Sequence, residues 1–303
     1  MEISLALGGG GSKGFAHLGV LRCLEQQGYQ IRAISGTSAG GIVAAIYAAG
    51  YTPEEMAVRF QQVDQSNFYR REPGDGPALL GVAGLNQLTR EMLGERTFED
   101  LKIPCALTAV DLHTEQEVIL RRGRVVDAIL ATTALPGIFP PRAWEQYYLV
   151  DGGLLDPVPV APVRALAPHL PVVAVVLSNM DPEPLNIAEP PEILASFPLL
   201  RQIARLRVAQ AFNVFLHSMD ISSRYLTMMR LKIDQPEVVI QPELKDVGLL
   251  DKVDIEEIAA RGETAARAVL PELSRKTGWL SRLGRYLWGR HPALTQYNIL
   301  GGA

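Results

Sequence analysis

At 303 residues the chain can bury a full core, and its length fits one large domain or two small ones. It is 48% hydrophobic and 20% charged, has no apolar run approaching the roughly 18 residues of a membrane span, and carries a net charge of −4. That composition argues against a membrane-spanning protein and gives no support for nucleic-acid binding. The start, Met1-Glu2-Ile3-Ser4, has no basic region of a secretory signal, so the expected setting is cytoplasmic. Cys23 and Cys105 lie far apart with no C-x-x-C and no histidine cluster, so neither a disulfide framework nor a metal site is expected.

In chain order, Ile3 to Leu7 reads as a buried strand running into Gly8-Gly9-Gly10-Gly11-Ser12-Lys13-Gly14, followed by a helical pattern at Phe15, Leu18, Val20, Leu21 and Leu24. A second apolar run from Ile31 breaks at Gly36-Thr37-Ser38-Ala39-Gly40 and resumes as an alanine-rich helix. Residues 51–100 mix polar helix with a Gly/Pro-rich loop at 73–77 and read as a cap-like or lid-like insertion, with Leu79, Leu80, Val82 and Leu85 facing either a greasy substrate or the body. Strands are expected at Ala106 to Val110, Val118 to Leu120, Trp144 to Val150, Pro171 to Leu177 and 238–240, with helices at Val125 to Ala131, after Pro157-Val158-Pro159-Val160, and at Ile255 to Leu270. A proline-rich connector at 181–191 precedes a long amphipathic stripe through Leu199, Ile203, Leu206, Ala209, Phe212, Leu216 and Met219. Alternation of this kind predicts an α/β fold of three layers, α/β/α, with a mostly parallel central sheet.

Ser38 stands on a strand-turn-helix corner. Glycines two before and two after it remove side chains that would collide there, and the helix N-terminus favours negative charge developing at the hydroxyl. Asp151, before Gly152 and Gly153, is expected at the end of another strand, and the glycine loop ends a third. Acyl transfer needs a nucleophile, a proton acceptor and donors aimed at the carbonyl oxygen. These three segments can supply them. Gly9, Gly11 and Gly14 also satisfy G-x-G-x-x-G, but Ile31-Arg32-Ala33-Ile34-Ser35 lacks the acid a dinucleotide site expects. Lys13 does not precede a serine or threonine, so the loop is not a Walker A loop.

The glycine loop, the serine corner and Asp151-Gly152-Gly153, with the softer Pro136-Gly137-Ile138-Phe139-Pro140-Pro141 and Pro157-Val158-Pro159-Val160, resemble the patatin-like phospholipase family in its bacterial form, from Leu5 to about Leu270. The resemblance implies that Ser38 is the nucleophile and Asp151 its dyad partner. It implies an oxyanion hole from Gly9, Gly10, Gly11 and Gly14, with Gly36, Gly40, Gly152 and Gly153 supporting the corners. Lys13 is a candidate contact for an anionic headgroup, and a lipid or other acyl ester is the expected substrate, without metal or cofactor. Ala131-Thr132-Thr133 stands where the resemblance leads one to expect Arg-Ala-Ser. One rival is an α/β-hydrolase in which His169, His217 or His291 is the base; another is a non-hydrolytic anion- or nucleotide-binding protein.

From Pro271 onward five basic residues face one acid, Glu272, so residues 271–303 carry +4 and the remainder −8. Leu280, Leu283 and Leu287, with Trp279, Trp288, Arg282, Arg285 and Arg290, read either as an interfacial helix at the inner face of a membrane or as a helix packed on the domain.

Overall fold

The computed structural model describes residues 1–73, 75–180, 207–278 and 298–300, and side chains within these except those of 207–213 and 298–300. The proline-rich connector, the first half of the long stripe, His291 and the leucine and tryptophan residues of the tail lie outside the described residues.

Five strands form the parallel heart of the sheet, in the order β3 (Cys105–Asp111), β2 (Gln30–Gly36), β1 (Glu2–Leu7), β7 (Val172–Val175) and β8 (Val238–Ile240). β4 (Gln116–Leu120) and β6 (Tyr147–Asp151) pair antiparallel with β3, β5 (Arg142–Trp144) pairs antiparallel with β6, and β9 (Asn298–Leu300) runs parallel to β4. Side chains that alternate along each strand divide between two cores. Ile3, Leu5, Leu7, Ile34, Val173 and Val175 face the larger one, with α1 (Ala16–Gln26), α2 (Ala39–Ala48) and α9 (Ile255–Thr277). Ala6, Ala33, Val172, Ala174 and Val176 face the other, where α7 (Val160–Leu166) and Leu231 of α8 (Arg207–Asp234) pack. Both faces are covered, so the strands are continuously apolar, as the three-layer expectation required.

The strand expected at Trp144 to Val150 is a hairpin instead. β5 and β6 join through Glu145-Gln146, with Glu145 at φ 52°. A two-residue turn of this kind usually announces itself with glycine or asparagine, and this one does not. The stretch 51–100 contributes α3 (Pro53–Gln61), α4 (Gln65–Phe68) and α5 (Ala83–Leu93). Met56, Phe60, Leu88, Met92 and Leu93 of this stretch are part of the main core.

One pairing arrangement positions the site. β4 occupies one edge of β3 from Leu107 to Asp111, so β2, opposite Cys105 to Leu107, and β6, opposite Ala109 to Asp111, share the other. β2 and β6 run in opposite directions along it. Their C-terminal ends, Gly36 and Asp151, meet across the single residue Thr108. The register of β6 is pinned by Asp111, whose carboxylate accepts the Tyr148 N–H at 2.9 Å and the Thr114 N–H and hydroxyl at 3.0 and 2.8 Å.

Behind the loop that follows Asp151 lies a buried charged cluster. Arg230 of α8 donates to Glu117 at 2.8 Å and to the Leu155 carbonyl at 3.0 Å, with Asp156 at 4.0 Å. Burial pushes the carboxyls of Asp156, Glu117 and Asp234 above their usual range, and Glu117 raises Asp156 further. Arg230 is the cation common to all three. Replacing it, as in Arg230→Met, leaves buried acids without a counter-charge and should lower unfolding free energy by about 2–4 kcal/mol in urea denaturation, a buried-pair cost discounted for partial exposure.

Candidate active site

Ser38 is the residue before α2 and has φ 54° and ψ −124°, a conformation that costs a non-glycine residue about 1–3 kcal/mol. The surroundings enforce it. A side chain on Gly36 would strike the Gly40 carbonyl, and one on Gly40 would strike that of Leu7, so only glycines let α2 start this close to the strand ends. The Ser38 N–H donates to the Thr132 hydroxyl at 2.9 Å. Thr37 donates its hydroxyl proton to the Asp156 carbonyl at 2.8 Å, so the Thr108 hydroxyl, 2.7 Å away, is the donor in their mutual bond.

Asp151 is 3% exposed. Burial pushes its carboxyl up to about 6, against the nearby Ser38 hydroxyl and the Gly153 N–H, which favour the ionised form. The Gly153 bond is 2.8 Å long. The structure therefore brings Ser38 and Asp151 to one cavity, near enough for the hydroxyl to act on the carboxyl, although they are 113 positions apart in the sequence.

The glycine loop lies against both. A side chain on Gly9 would come within 3.2 Å of the Ser38 Cβ. Its amides are not equivalent. Gly8 N–H donates to the Val175 carbonyl at 2.9 Å, Gly9 N–H to that of Pro157 at 3.0 Å, and Ser12 N–H to that of Leu249 at 2.9 Å. Gly9, expected as an oxyanion donor, thus has its proton already engaged. Gly14 has a packing role, since a side chain there would meet the Ala39 Cβ at 2.7 Å. Among the described residues, the Gly10 and Gly11 amides have no acceptor. Gly11 has φ +56° and would strike Leu249 with any side chain, so glycine is required there.

His17 is buried, and its Nε2 lies 2.8 Å from the Gly8 carbonyl, which fixes that nitrogen as the protonated one. Burial lowers its pKa to about 4, against the raising effect of the Gly8 bond, so the ring is neutral and braces the loop. Thr132 and His17 are the two supports that sequence reasoning missed. Their partners sit 94 and 9 positions away, and no local pattern announces either.

A cavity of about 880 Å³ opens over Ser38, Asp151, Gly9, Gly10, Gly11, Gly14 and Gly153. Gly36, Gly40 and Gly152 lie behind its wall, Gly152 against Thr108. Phe60, Phe68, Tyr69, Leu85, Phe139 and Leu216 give it an apolar side. Lys13, 8% exposed, also lines it, and among the described residues no carboxylate lies within 4.0 Å of its ammonium. Asp246, which feels Lys13, is held by Arg261. His217 lines the wall of the same cavity on α8. His169 is on the exposed turn after α7. Among the described residues no cluster of His, Cys, Asp and Glu could hold a metal, and no helix is long and apolar enough to cross a membrane.

A serine on a strained corner and a buried aspartate share one cavity beneath a glycine loop in a three-layer α/β/α fold, and this architecture belongs to a known family. The family model for patatin-like phospholipases matches residues 5–164, more than half of the chain, and the chain belongs to that family. An uncharacterized NTE family protein of Mycobacterium tuberculosis is 35% identical over 191 residues, which are 62% of this chain and 52% of that protein. The lysophospholipase NTE1 of Mycosarcoma maydis is 31% identical over 189 residues, 60% of this chain and 10% of that one. VipD of Legionella pneumophila superposes with a TM-score of 0.48 at 14% identity, covering 90% of this chain and 67% of that one. The chain spans about half the length of the first curated relatives it matches.

A carboxyl whose pKa rises on folding is protonated more readily in the folded state, so it detracts from stability as pH climbs from the unfolded value towards 6 and above. Asp151→Asn should accordingly gain about 1–3 kcal/mol over the parent at pH 8, with the gain vanishing below about pH 4, measured by thermal unfolding across pH.

Proposed function

We propose that this protein is a serine acyl hydrolase that cleaves ester bonds of phospholipids, lysophospholipids or related acylglycerols through Ser38 and Asp151. The observation that carries the reading is that Ser38, on its strained corner, and a buried, proton-hungry Asp151 face one largely apolar cavity beside the glycine loop. The cavity falls within the usual size range of ligand sites, about 300–1,000 Å³. Membership of a phospholipase family and a relative named as a lysophospholipase support a lipid ester as substrate.

An aspartate at its ordinary pKa near 4 is a poor acceptor for a serine proton. Burial lifts Asp151 towards 6, still mostly ionised at pH 7 but a better base. As the Ser38 oxygen attacks the ester carbonyl, its proton passes to Asp151 and the carbonyl oxygen becomes an anion. The Gly10 and Gly11 amides are the donors left to receive that anion, and the N-terminus of α2 stabilises the charge developing at Ser38. Asp151 then delivers the proton to the departing alcohol. Water attacks the acyl-serine by the same route in reverse, with Asp151 again taking the proton. Lys13 lines the cavity beside the loop and so favours a substrate that brings an anion there, as a phosphate headgroup would.

Purified protein and two variants assayed on p-nitrophenyl acyl esters test this. Ser38→Ala and Asp151→Asn should each lose on the order of 10³-fold or more in kcat, and a fluorophosphonate probe should label Ser38 alone. The kcat/KM profile of the parent should rise with pH through an acid limb near 6, because only ionised Asp151 accepts the proton. Equal rates for all three proteins would overturn the assignment.

A further inference from the structure

Ten large apolar side chains are exposed among the described residues, and six of them sit on α8: Val214, Phe215, Ile221, Tyr225, Met229 and Ile233, from 36% to 66% exposed. At 100° per residue they fall within about a third of the helix circumference, and from first to last they span about 29 Å. The exposed positions between them are Ser218, Ser222 and Lys232, with no acid. Both acids of α8, Asp220 and Asp234, lie off this face and are only partly exposed. The guanidinium of the buried Arg224 sits 5.8 Å from the centre of the Tyr225 ring. In a chain of net charge −4, this face is apolar and its exposed charge is the cation of Lys232.

The adjoining side of the same helix walls the cavity through Leu216, Met219 and Leu226. A helix apolar on two sides has one side packed and the other meant for a second apolar phase. A contiguous exposed patch of this size marks an interaction surface.

We infer that the outer face of α8 docks on an anionic lipid bilayer, setting the cavity against the surface from which its substrate comes. The occupant follows from the charge and from continuity with the cavity. The acid-free face with Lys232 complements anionic headgroups, Tyr225 suits the headgroup level, and the apolar side chains enter the acyl boundary. The inference rests on the acyl-hydrolase reading for its purpose, and its test is separable from that reading.

The full chain would be sedimented with vesicles of phosphatidylcholine alone and with phosphatidylglycerol added, beside Tyr225→Glu/Met229→Glu and, as control, Val58→Glu, which alters an exposed apolar residue on α3. The parent and the control should bind the anionic vesicles and the α8 variant should bind at least tenfold more weakly. All three should hydrolyse a soluble short-chain p-nitrophenyl ester equally, which also certifies that the variant is folded. Equal vesicle affinity of parent and α8 variant overturns the inference. So does a parent that sediments as a dimer and a variant that sediments as a monomer with unchanged vesicle binding, since the face would then belong to a second copy. A parent inert on every ester that still loses vesicle binding through the α8 substitutions overturns the hydrolase reading and leaves the docking face standing.

Discussion

The site depends on two strands meeting end to end on one edge of a third. β2 delivers Ser38 from one direction and β6 delivers Asp151 from the other, with only Thr108 of β3 between their ends. The gap is closed tightly. Thr108 donates to the Thr37 hydroxyl, and the absent side chain of Gly152 makes room for Thr108. The Ser38 corner is strained, and a strained residue persists only where its surroundings over-determine it. Here the determinants are glycines beneath α2, a threonine on α6 (Val125–Thr132) and the start of the loop after Asp151.

Much of this was legible in the sequence because glycines and turn residues carry local information. The run at Gly8 to Gly14, the corner around Ser38 and the Asp151-Gly152-Gly153 end each announce a backbone that must pass close to something. The three-layer arrangement followed from apolar strands alternating with helices. What the pattern could not give was the direction of approach. A strand end at Asp151 suggested that all three segments rise from the same side of a parallel sheet, whereas β6 runs antiparallel and arrives from the opposite side. Glu145 hides the hairpin responsible, being neither glycine nor asparagine. The inequality among the loop amides was also invisible, because it depends on Val175, Pro157 and Leu249, each more than 140 residues away.

Buried charge is distributed to different ends in two neighbouring places. Asp151 is buried with the Gly153 N–H on its carboxylate and, among the described residues, no cation beside it, which leaves it a stronger base than a solvated carboxylate. A few residues on, Asp156 shares a buried cluster with Glu117 and Asp234 around Arg230, where one guanidinium fastens α8 to the sheet. Both arrangements oppose stability, and the two-sided apolar core must compensate. The glycine loop differs in kind. Its carbonyls and amides are tied to three separate segments, so the donors at Gly10 and Gly11 are set before any ligand arrives and need no reorganisation.

The clamp formed by Asp111 has a wider meaning than its three hydrogen bonds. Because side chains alternate along a strand, a slip of β6 by one residue against β3 would send the carboxylate of Asp151 to the opposite face of the sheet, among the helices rather than beside Ser38. Pairing of a short three-stranded ribbon leaves such a slip few obstacles of its own. Asp111, by gripping the Tyr148 amide on one side and the Thr114 turn on the other, ties the parity of the ribbon to the strand that already holds β2. A residue with no part in the chemistry thereby decides on which face that chemistry can exist.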